Sequence, residues 1–262
     1  MPWMYRLVAA PFLQHNLTVA IVGYRTYPDA VSDEMVDDLN SAMQKIQQTY
    51  PRLFEQRDDK NSLGICVMGH SSGAHISFLM VIENTRRRMM MQQQQQKKSF
   101  AVPVFPIDCF VGLSGVYDIG HHFDYEAARG VEELSPMKAA NGMTPEQFRR
   151  YAPAHRLQQM LLRNNNNNNN QRFQEYLPTI LLLHGMEDAT VPFTSTSEAA
   201  RRIRSCGITR LDEIYVAKLG HEEAILQMMM GGPTRDNVLE WLLHKKPSTT
   251  DCGSNLKIAS KL

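Results

Sequence analysis

The residues best suited to chemistry lie in the segment VMGHSSGAHISFLM, at positions 67–80. Gly69, Ser71 and Gly73 have the spacing G-x-S-x-G, between an apolar run and a segment of helical periodicity. A tight strand-to-helix turn of this kind exposes its serine as a nucleophile, and the start of the following helix favours negative charge. Because glycine and serine are common, the same spacing also fits an ordinary turn. The pattern therefore predicts a nucleophile only if a base and an acid accompany it.

Two residues later in the chain supply that acid and that base. A serine hydroxyl is a poor nucleophile without a base, and the base needs an orienting partner. In this topology the expected order is serine, acid, histidine, each after a strand. Asp188 follows the apolar run TILLLHG, and His221 follows the last such run, LDEIYVAK. Singly they could be a turn carboxylate and a helix-entry residue, but together with Ser71 they predict a catalytic triad.

Other acidic and histidine residues near these positions are weaker candidates. Glu187 adjoins Asp188, and its place one residue earlier predicts that it points elsewhere. Asp118 ends the run GLSGVYD and could serve as a reserve acid. His70 and His75 flank the serine, where histidines more often pack or face solvent. Asp188 remains the preferred acid because of its position in the loop after a predicted strand.

Five β-rich runs alternate with amphipathic segments along the chain. Four of the runs are nearly continuous in apolar residues, as expected of parallel strands covered on both faces. The predicted strands are 17–24, 63–69, 107–115, 179–185 and 211–218. The predicted helices are 32–49, 72–83, 195–206 and 235–244. This alternation predicts an α/β fold, with an open, mostly parallel sheet flanked by helices and joined by right-handed crossovers.

Local signals mark the ends of some of these helices. Ser195 and Glu198 have the spacing of a capping box, and Gly207 supplies the stop. The segment TPEQ at 144–147 has the same box, with proline at the first helical position.

Residues 117–178 are long for a single crossover, and we interpret them as a lid region over the C-terminal edge of the sheet. Such insertions are expected to select the substrate, because ligands of open α/β sheets bind at that edge. His121 and His122 begin the lid region and could contact substrate. We predict His122 and Phe123 as substrate-binding residues.

The low-complexity segments and the overall composition bear on the loops, the number of domains and nucleic-acid binding. Residues 86–98 and 163–172 are rich in glutamine and asparagine, and we expect solvent loops there, remote from the chemistry. The chain has 262 residues, 43% of them hydrophobic, which predicts a single domain over 1–262 with a C-terminal tail at 246–262. A net charge of +1 argues against nucleic-acid binding.

The same properties bear on location and metal binding. Neither a signal peptide nor a membrane-spanning run is evident in the sequence. The four cysteines lack CxxC spacing, which favours reduced thiols in an intracellular, cytoplasmic protein over a disulfide framework or a metal site. The cysteines are Cys66, Cys109, Cys206 and Cys252.

Several segments resemble those of α/β-hydrolase fold enzymes: IVGYRTYPDA, MGHSSGAHIS, GLSGVYDI, HGMEDATVP and GHEEAILQMMMGG. Their general motifs are shared with kynurenine formamidase-like and feruloyl-esterase-like proteins. HHFDYEAARGV and ILQMMMGG are more similar to the isoprenylcysteine methylesterase-like carboxylesterases. The resemblance covers about residues 3–244, apart from the two low-complexity segments. It implies hydrolysis of a carboxylic ester, in that group a prenylated-cysteine methyl ester, without metal or organic cofactor. The alternative is a kynurenine formamidase-like amide hydrolase.

The resemblance also implies an H-G-G-x-W loop, whose N–H groups stabilise the oxyanion together with the N–H of the residue after the nucleophile, here Ser72. No His-Gly-Gly precedes Tyr24, and residues 1–16 resemble the helix that follows this loop. We therefore expect the first strands to be missing through truncation, so that 17–24 could pair directly with 63–69. The other hypothesis is a catalytically impaired protein with a binding role. Membrane association, at endomembranes as in the methylesterase group, would depend on the missing region.

Overall fold

A single parallel sheet forms the centre of the protein. The computed structural model describes residues 5–55, 63–93, 103–163, 169–244 and 256–259. Its five strands lie side by side in chain order: β1 Ile65–His70, β2 Ile107–Leu113, β3 Thr179–Gly185, β4 Leu211–Val216 and β5 Leu256–Ala259. All four strand pairs are parallel. The C-terminal ends of the strands therefore meet at one edge of the sheet.

Helices cover both faces of this sheet. They are α1 Arg6–Leu13, α2 Ser32–Thr49, α3 Ser72–Gln93, α4 Ile119–Ala128, α5 Met137–Ala140, α6 Pro145–Tyr151, α7 Pro153–Arg163, α8 Asn169–Tyr176, α9 Thr194–Ser205, α10 His221–Met230 and α11 Pro233–His244, with a 3-10 turn at Pro51–Leu53. On β3, Ile180 and Leu182 join the core under α2, α3, α7 and α9, whereas Leu181 and Leu183 join the core under α1, α10 and α11. Burial on both faces explains the nearly continuous apolar strands.

The predicted strand at 17–24 is wrong, although the other four runs form β1 to β4. Residues 17–24 have no regular secondary structure. Leu17 and Val19 pack against one core and Val22 and Tyr24 against the other. A strand is held by hydrogen bonds to its neighbours, and among the described residues β1 pairs only with β2. The segment buries apolar side chains without a backbone ladder.

The expected loops at 86–98 and 163–172 are partly helical. Helix α3 continues to Gln93, where Met89 is buried in the core and Arg87 donates to the Asn40 side chain at 3.2 Å. Low complexity did not prevent packing there, because methionine and the arginine stem carry enough apolar surface. Asn169 already belongs to α8. Positions 94–98 and 164–168 lie outside the described residues.

The expected tail and one expected cap also differ. Within 246–262, β5 pairs with β4. The capping box at Ser195 is wrong, because α9 starts at Thr194 after Phe193. The Ser195 hydroxyl instead donates to the Gly115 carbonyl at 3.0 Å, so it ties α9 to the loop after β2.

Two other expectations, both on helix ends, are confirmed. Helix α6 has the predicted box, in which Thr144 and Gln147 each accept from the other's backbone N–H. Gly207 adopts a φ of +82° just after α9. The lid region contains α4 to α8. None of the helices in the described ranges is long and apolar enough to cross a membrane.

Candidate active site

Ser71 lies in a strained turn between β1 and α3. Its φ is +55°, a left-handed conformation that costs a non-glycine residue about 1–3 kcal/mol. The Ser71 N–H donates to the Leu113 carbonyl of β2 at 2.9 Å, which fixes the turn to the sheet. A Cβ at Gly69 would lie 2.4 Å from the Gly73 carbonyl oxygen, whereas a Cβ at Gly73 would only reach Tyr24 Oη at 3.8 Å. The turn therefore requires the first glycine of the motif for steric reasons and not the second.

The three predicted residues meet in one hydrogen-bonded chain. His221 Nε2 lies 2.9 Å from Ser71 Oγ, and His221 Nδ1 lies 2.7 Å from Asp188 Oδ2. A carboxylate can only accept, so Nδ1 carries the proton and Nε2 accepts from the serine hydroxyl. Asp188 and His221 are buried, at 7% and 8% exposure. The structure thus joins residues from the ends of β1, β3 and β4.

Asp188 is held as a carboxylate by several donors. Its Oδ1 accepts from the N–H groups of Thr190 at 3.0 Å and Val191 at 2.8 Å. Burial works to raise the pKa of Asp188, but hydrogen bonds from His184, His221 and Val191 outweigh burial and lower that pKa well below its usual range. The acid therefore stays ionised at neutral pH.

His184 is a functional residue that the sequence reasoning missed. It is fully buried at the end of β3. Its Nε2 lies 3.2 Å from Asp188 Oδ2 and 2.8 Å from the Val191 carbonyl, while Nδ1 lies 2.8 Å from Thr196 Oγ1. This ring therefore contacts the same carboxylate oxygen as His221 and helps to fix the acid. A histidine inside the otherwise apolar run TILLLHG was the available signal.

His70 also contacts the site, where we expected only packing or solvent. Its Nε2 donates to the backbone carbonyl of His221 at 3.0 Å, and the two rings lie 4.8 Å apart. Burial first, and then the nearby His221, lower the pKa of His70 to about 4. His70 is therefore neutral at neutral pH and supports the backbone of His221.

The rejected acids occupy other places. Glu187 is exposed, unlike its neighbour Asp188. Asp118 caps α4 by accepting from His121 N–H at 3.2 Å and also accepts from His155 Nε2 at 2.8 Å. Burial works to raise the pKa of Asp118, but these contacts lower it to about 2. The preference for Asp188 over both alternatives agrees with the geometry.

Three further side chains pack within the protein: His75, for which packing was one expectation, and His122 and Phe123, which were expected near substrate. His75 is buried and its Nε2 donates to the Tyr151 carbonyl at 2.7 Å. His122 is buried, with Nε2 at 3.3 Å from Glu126 Oε1. Phe123 packs against an aromatic ring of α6 at 5.4 Å. Substrate contact by His122 and Phe123 remains a prediction.

Ser72 opens α3 directly after the serine. The first N–H groups of a helix have no partner within it, so the Ser72 N–H is a candidate donor to an oxyanion. The Ser72 hydroxyl lies 3.2 Å from Tyr24 Oη. Tyr24 therefore approaches the turn from the irregular segment 17–24.

A cavity opens beside the histidine. Its lining residues are Glu187, Ala189, Thr190, Lys218, Gly220, His221, Glu222 and Glu223. It gives access from solvent to the loops that carry Asp188 and His221. Across the described part of the chain, no three His, Cys, Asp or Glu side chains gather as metal ligands would.

Comparison with known proteins identifies the family of this chain. The BD-FAE family model matches residues 3–203. A probable isoprenylcysteine alpha-carbonyl methylesterase of Oryza sativa subsp. japonica is 25% identical over 234 residues, which are 89% of this chain and 51% of that protein. The isoprenylcysteine alpha-carbonyl methylesterase of Arabidopsis thaliana is 24% identical over 226 residues, 86% of this chain and 48% of that protein. The chain spans about half the length of these curated relatives.

Solved structures share the fold at lower identity. A truncated carbohydrate esterase from gut microbiota superposes with a TM-score of 0.58 at 16% identity, covering 90% of this chain and 76% of that one. Carboxyl esterase 2 of Tuber melanosporum superposes with a TM-score of 0.56 at 16% identity, covering 93% and 72%. The parallel sheet and its flanking helices thus form an α/β-hydrolase fold.

Proposed function

The chain belongs to the BD-FAE family, and on this premise we propose that its ester hydrolysis uses Ser71 as nucleophile, His221 as base and Asp188 as orienting acid. The observation that carries the proposal is the unbroken contact from Ser71 Oγ through the imidazole to the carboxylate, at 2.9 and 2.7 Å. Nucleophile and base lie within hydrogen-bond reach, and a third group orients the base. The strained turn at the serine adds a second, independent mark of such a site.

The reaction then follows from the protons already assigned. As Ser71 Oγ attacks the ester carbonyl carbon, His221 Nε2 takes the hydroxyl proton, and Asp188 stabilises the resulting imidazolium. The tetrahedral intermediate collapses when His221 returns this proton to the departing alkoxide oxygen, which leaves an acyl-enzyme and an alcohol. Water repeats the sequence at the acyl carbon, releasing the carboxylic acid and restoring the serine hydroxyl.

The negative charge on the carbonyl oxygen needs donors. The Ser72 N–H, at the start of α3, is one such donor. The resemblance to the family implies a second donor from a His-Gly-Gly loop, and no such sequence precedes Tyr24. We propose that a complete site requires that second donor.

For the substrate we propose a carboxylic ester of the prenylated-cysteine methyl ester class. The names of the rice and Arabidopsis relatives support this choice, as do the segments that resemble theirs. An intracellular setting is part of the proposal. Cys66, Cys109 and Cys206 are free thiols, consistent with that setting.

The nucleophile is tested with a fluorophosphonate probe, which labels only an activated serine. We expect Ser71→Ala to abolish labelling, and we expect Ser205→Ala, on the last turn of α9, to leave it intact. Labelling that survives Ser71→Ala would overturn the assignment.

The substrate is tested by comparing rates on a prenylcysteine methyl ester and on N-formylkynurenine. We expect the ester to be hydrolysed faster. A preference for the formamide would make the protein kynurenine formamidase-like. Specific binding of the ester without turnover, in a chain that also carries the glycine loop, would indicate a binding role.

A further inference from the structure

Side chains at the C-terminal end of α4, in the lid region, donate hydrogen bonds to the loop that carries Asp188. Tyr125 Oη donates to the backbone carbonyl of Ala189 at 2.9 Å, and the Arg129 guanidinium donates to the same oxygen. The guanidinium also lies over the Tyr125 ring, 5.3 Å from its centre. A side chain of α4 and the side chain of the residue that directly follows this helix therefore converge on a single carbonyl oxygen.

The peptide group of that carbonyl also makes a hydrogen bond to Asp188. The Ala189 carbonyl and the Thr190 N–H are the two ends of one planar peptide unit, and the Thr190 N–H donates to Asp188 Oδ1 at 3.0 Å. A rotation of this unit would move both ends together. Donors that fix the carbonyl consequently fix the N–H that holds the acid.

The helix that makes this contact is itself well anchored. Arg129 caps the C-terminal end of α4 with helical backbone angles, and it lies four residues after Tyr125, so the two side chains lie on the same side of the helix. The N-terminal end of α4 is capped by Asp118, close after β2. Ile119 at this end is fully buried in a cluster with Val191 of the acid loop. The side chains thus act from a fixed support.

We propose that Tyr125 and Arg129 are positioning residues for the reaction: by holding the Ala189–Thr190 peptide, they keep the Asp188 carboxylate aimed at His221. This inference rests on the proposed function of that acid. It makes α4 a mechanical link between the lid region and the hydrogen-bonded chain of the site. Neither side chain needs to contact substrate for this role.

The kinetic test uses Tyr125→Phe, Arg129→Gln and the double variant in the chain with the highest esterase activity. Each lost hydrogen bond is expected to lower kcat about threefold to tenfold, with KM unchanged because the bound substrate is not touched. Rates are expressed per site titrated with the fluorophosphonate, so that unfolded protein is not counted. Arg129→Lys should recover part of the loss, since it restores a cationic donor. Asp124→Asn, on an exposed position of α4, is the matched control and should keep the parent kcat.

A second measurement does not depend on turnover. Hydrogen exchange of the Thr190 and Val191 amides should speed up in the double variant and stay unchanged in Asp124→Asn. Faster exchange in a protein without esterase activity would support the positioning role of Tyr125 and Arg129 while overturning the proposed function. Unchanged exchange together with an unchanged kcat in the double variant would overturn that positioning role. A raised KM with unchanged kcat would also overturn it, because the side chains would then act on substrate binding.

Discussion

Two regions meet at Ser71 and differ in how they are held. On one side, the acid and histidine loops follow β3 and β4, and strands flank each of these on both sides. On the other side, residues 17–24 approach the same turn without any strand pairing, and the described contact is a hydroxyl pair between Tyr24 and Ser72. A parallel ladder places side chains at its end reproducibly, because every backbone group has a partner. Apolar burial keeps the segment 17–24 nearby, but it supplies none of the backbone hydrogen bonds of a ladder.

Substitution of the residues on the loops after β3 and β4, Asp188 and His221, should lower the rate of ester hydrolysis more than any other change. His221→Ala is expected to lower kcat/KM at least about 10⁴-fold, because the serine loses its base. Asp188→Asn should cost nearly as much, and the double variant should be no worse than His221→Ala, since the residues act as a unit. Steady-state kinetics on a p-nitrophenyl ester measure these rates. Near-normal turnover by His221→Ala would refute the assignment.

On the side of residues 17–24, which have no strand pairing, adding a glycine loop should raise the rate of ester hydrolysis. We expect this 262-residue chain to hydrolyse a short p-nitrophenyl ester about 10²- to 10³-fold more slowly than a version preceded by the glycine-loop segment of a relative, because one oxyanion donor is worth about that factor. A version in which both glycines of that loop are replaced by proline, which has no N–H, is the control. Equal rates for the 262-residue and extended forms would show that the second donor is dispensable.

The burial of His70 beside the histidine loop should appear in the pH dependence of stability. The unfolded chain protonates this residue near its ordinary pKa of 6.5, whereas the folded protein does so only near 4. The folded state is therefore most stable with respect to this group above pH 6.5. Up to about 3 kcal/mol of the free energy of unfolding is lost as the pH falls from 6.5 to 4.

His70→Gln removes this titration. The free energies of unfolding of parent and variant, from urea titrations, should diverge in the variant's favour between pH 7 and pH 4.5. Parallel curves over that range would contradict the interpretation.

The smallest effect separates the two glycines of the turn. Gly69→Ala should lower the free energy of unfolding by about 1–3 kcal/mol, because its Cβ meets the backbone at 2.4 Å. Gly73→Ala should be neutral or slightly stabilising, since the position lies in α3 with open space. Urea unfolding of both variants measures the difference. Equal losses would mean that the side near Tyr24 is packed as tightly as the side held by strands.

The residues of the hydrogen-bonded chain were predictable because their signals are local and ordered. Each of Ser71, Asp188 and His221 follows an apolar run, and parallel strands bring their C-terminal ends to one edge. Helix α2 was likewise predicted from the amphipathic pattern of 32–49. The misses have a common cause, which is that they depend on neighbours distant in the chain. His184 looked like part of an apolar strand, and Ser195 looked like a cap.

By itself the sequence determined the strands β1 to β4 and the helices between them that it predicted, the tight turn at Ser71 and the identity of its two partners, because periodicity, glycine spacing and chain order are properties of single segments. Only the tertiary structure decided whether a segment with a strand pattern becomes a strand. Residues 17–24 did not, since that outcome needs a partner's backbone donors and acceptors beside it. The tertiary structure also decided that α3 runs on to Gln93 and that Tyr125 and Arg129 reach the acid loop. The contacts of Tyr125 and Arg129 join side chains to a backbone carbonyl about 60 residues away in the chain, and no local pattern encodes a distance of that kind.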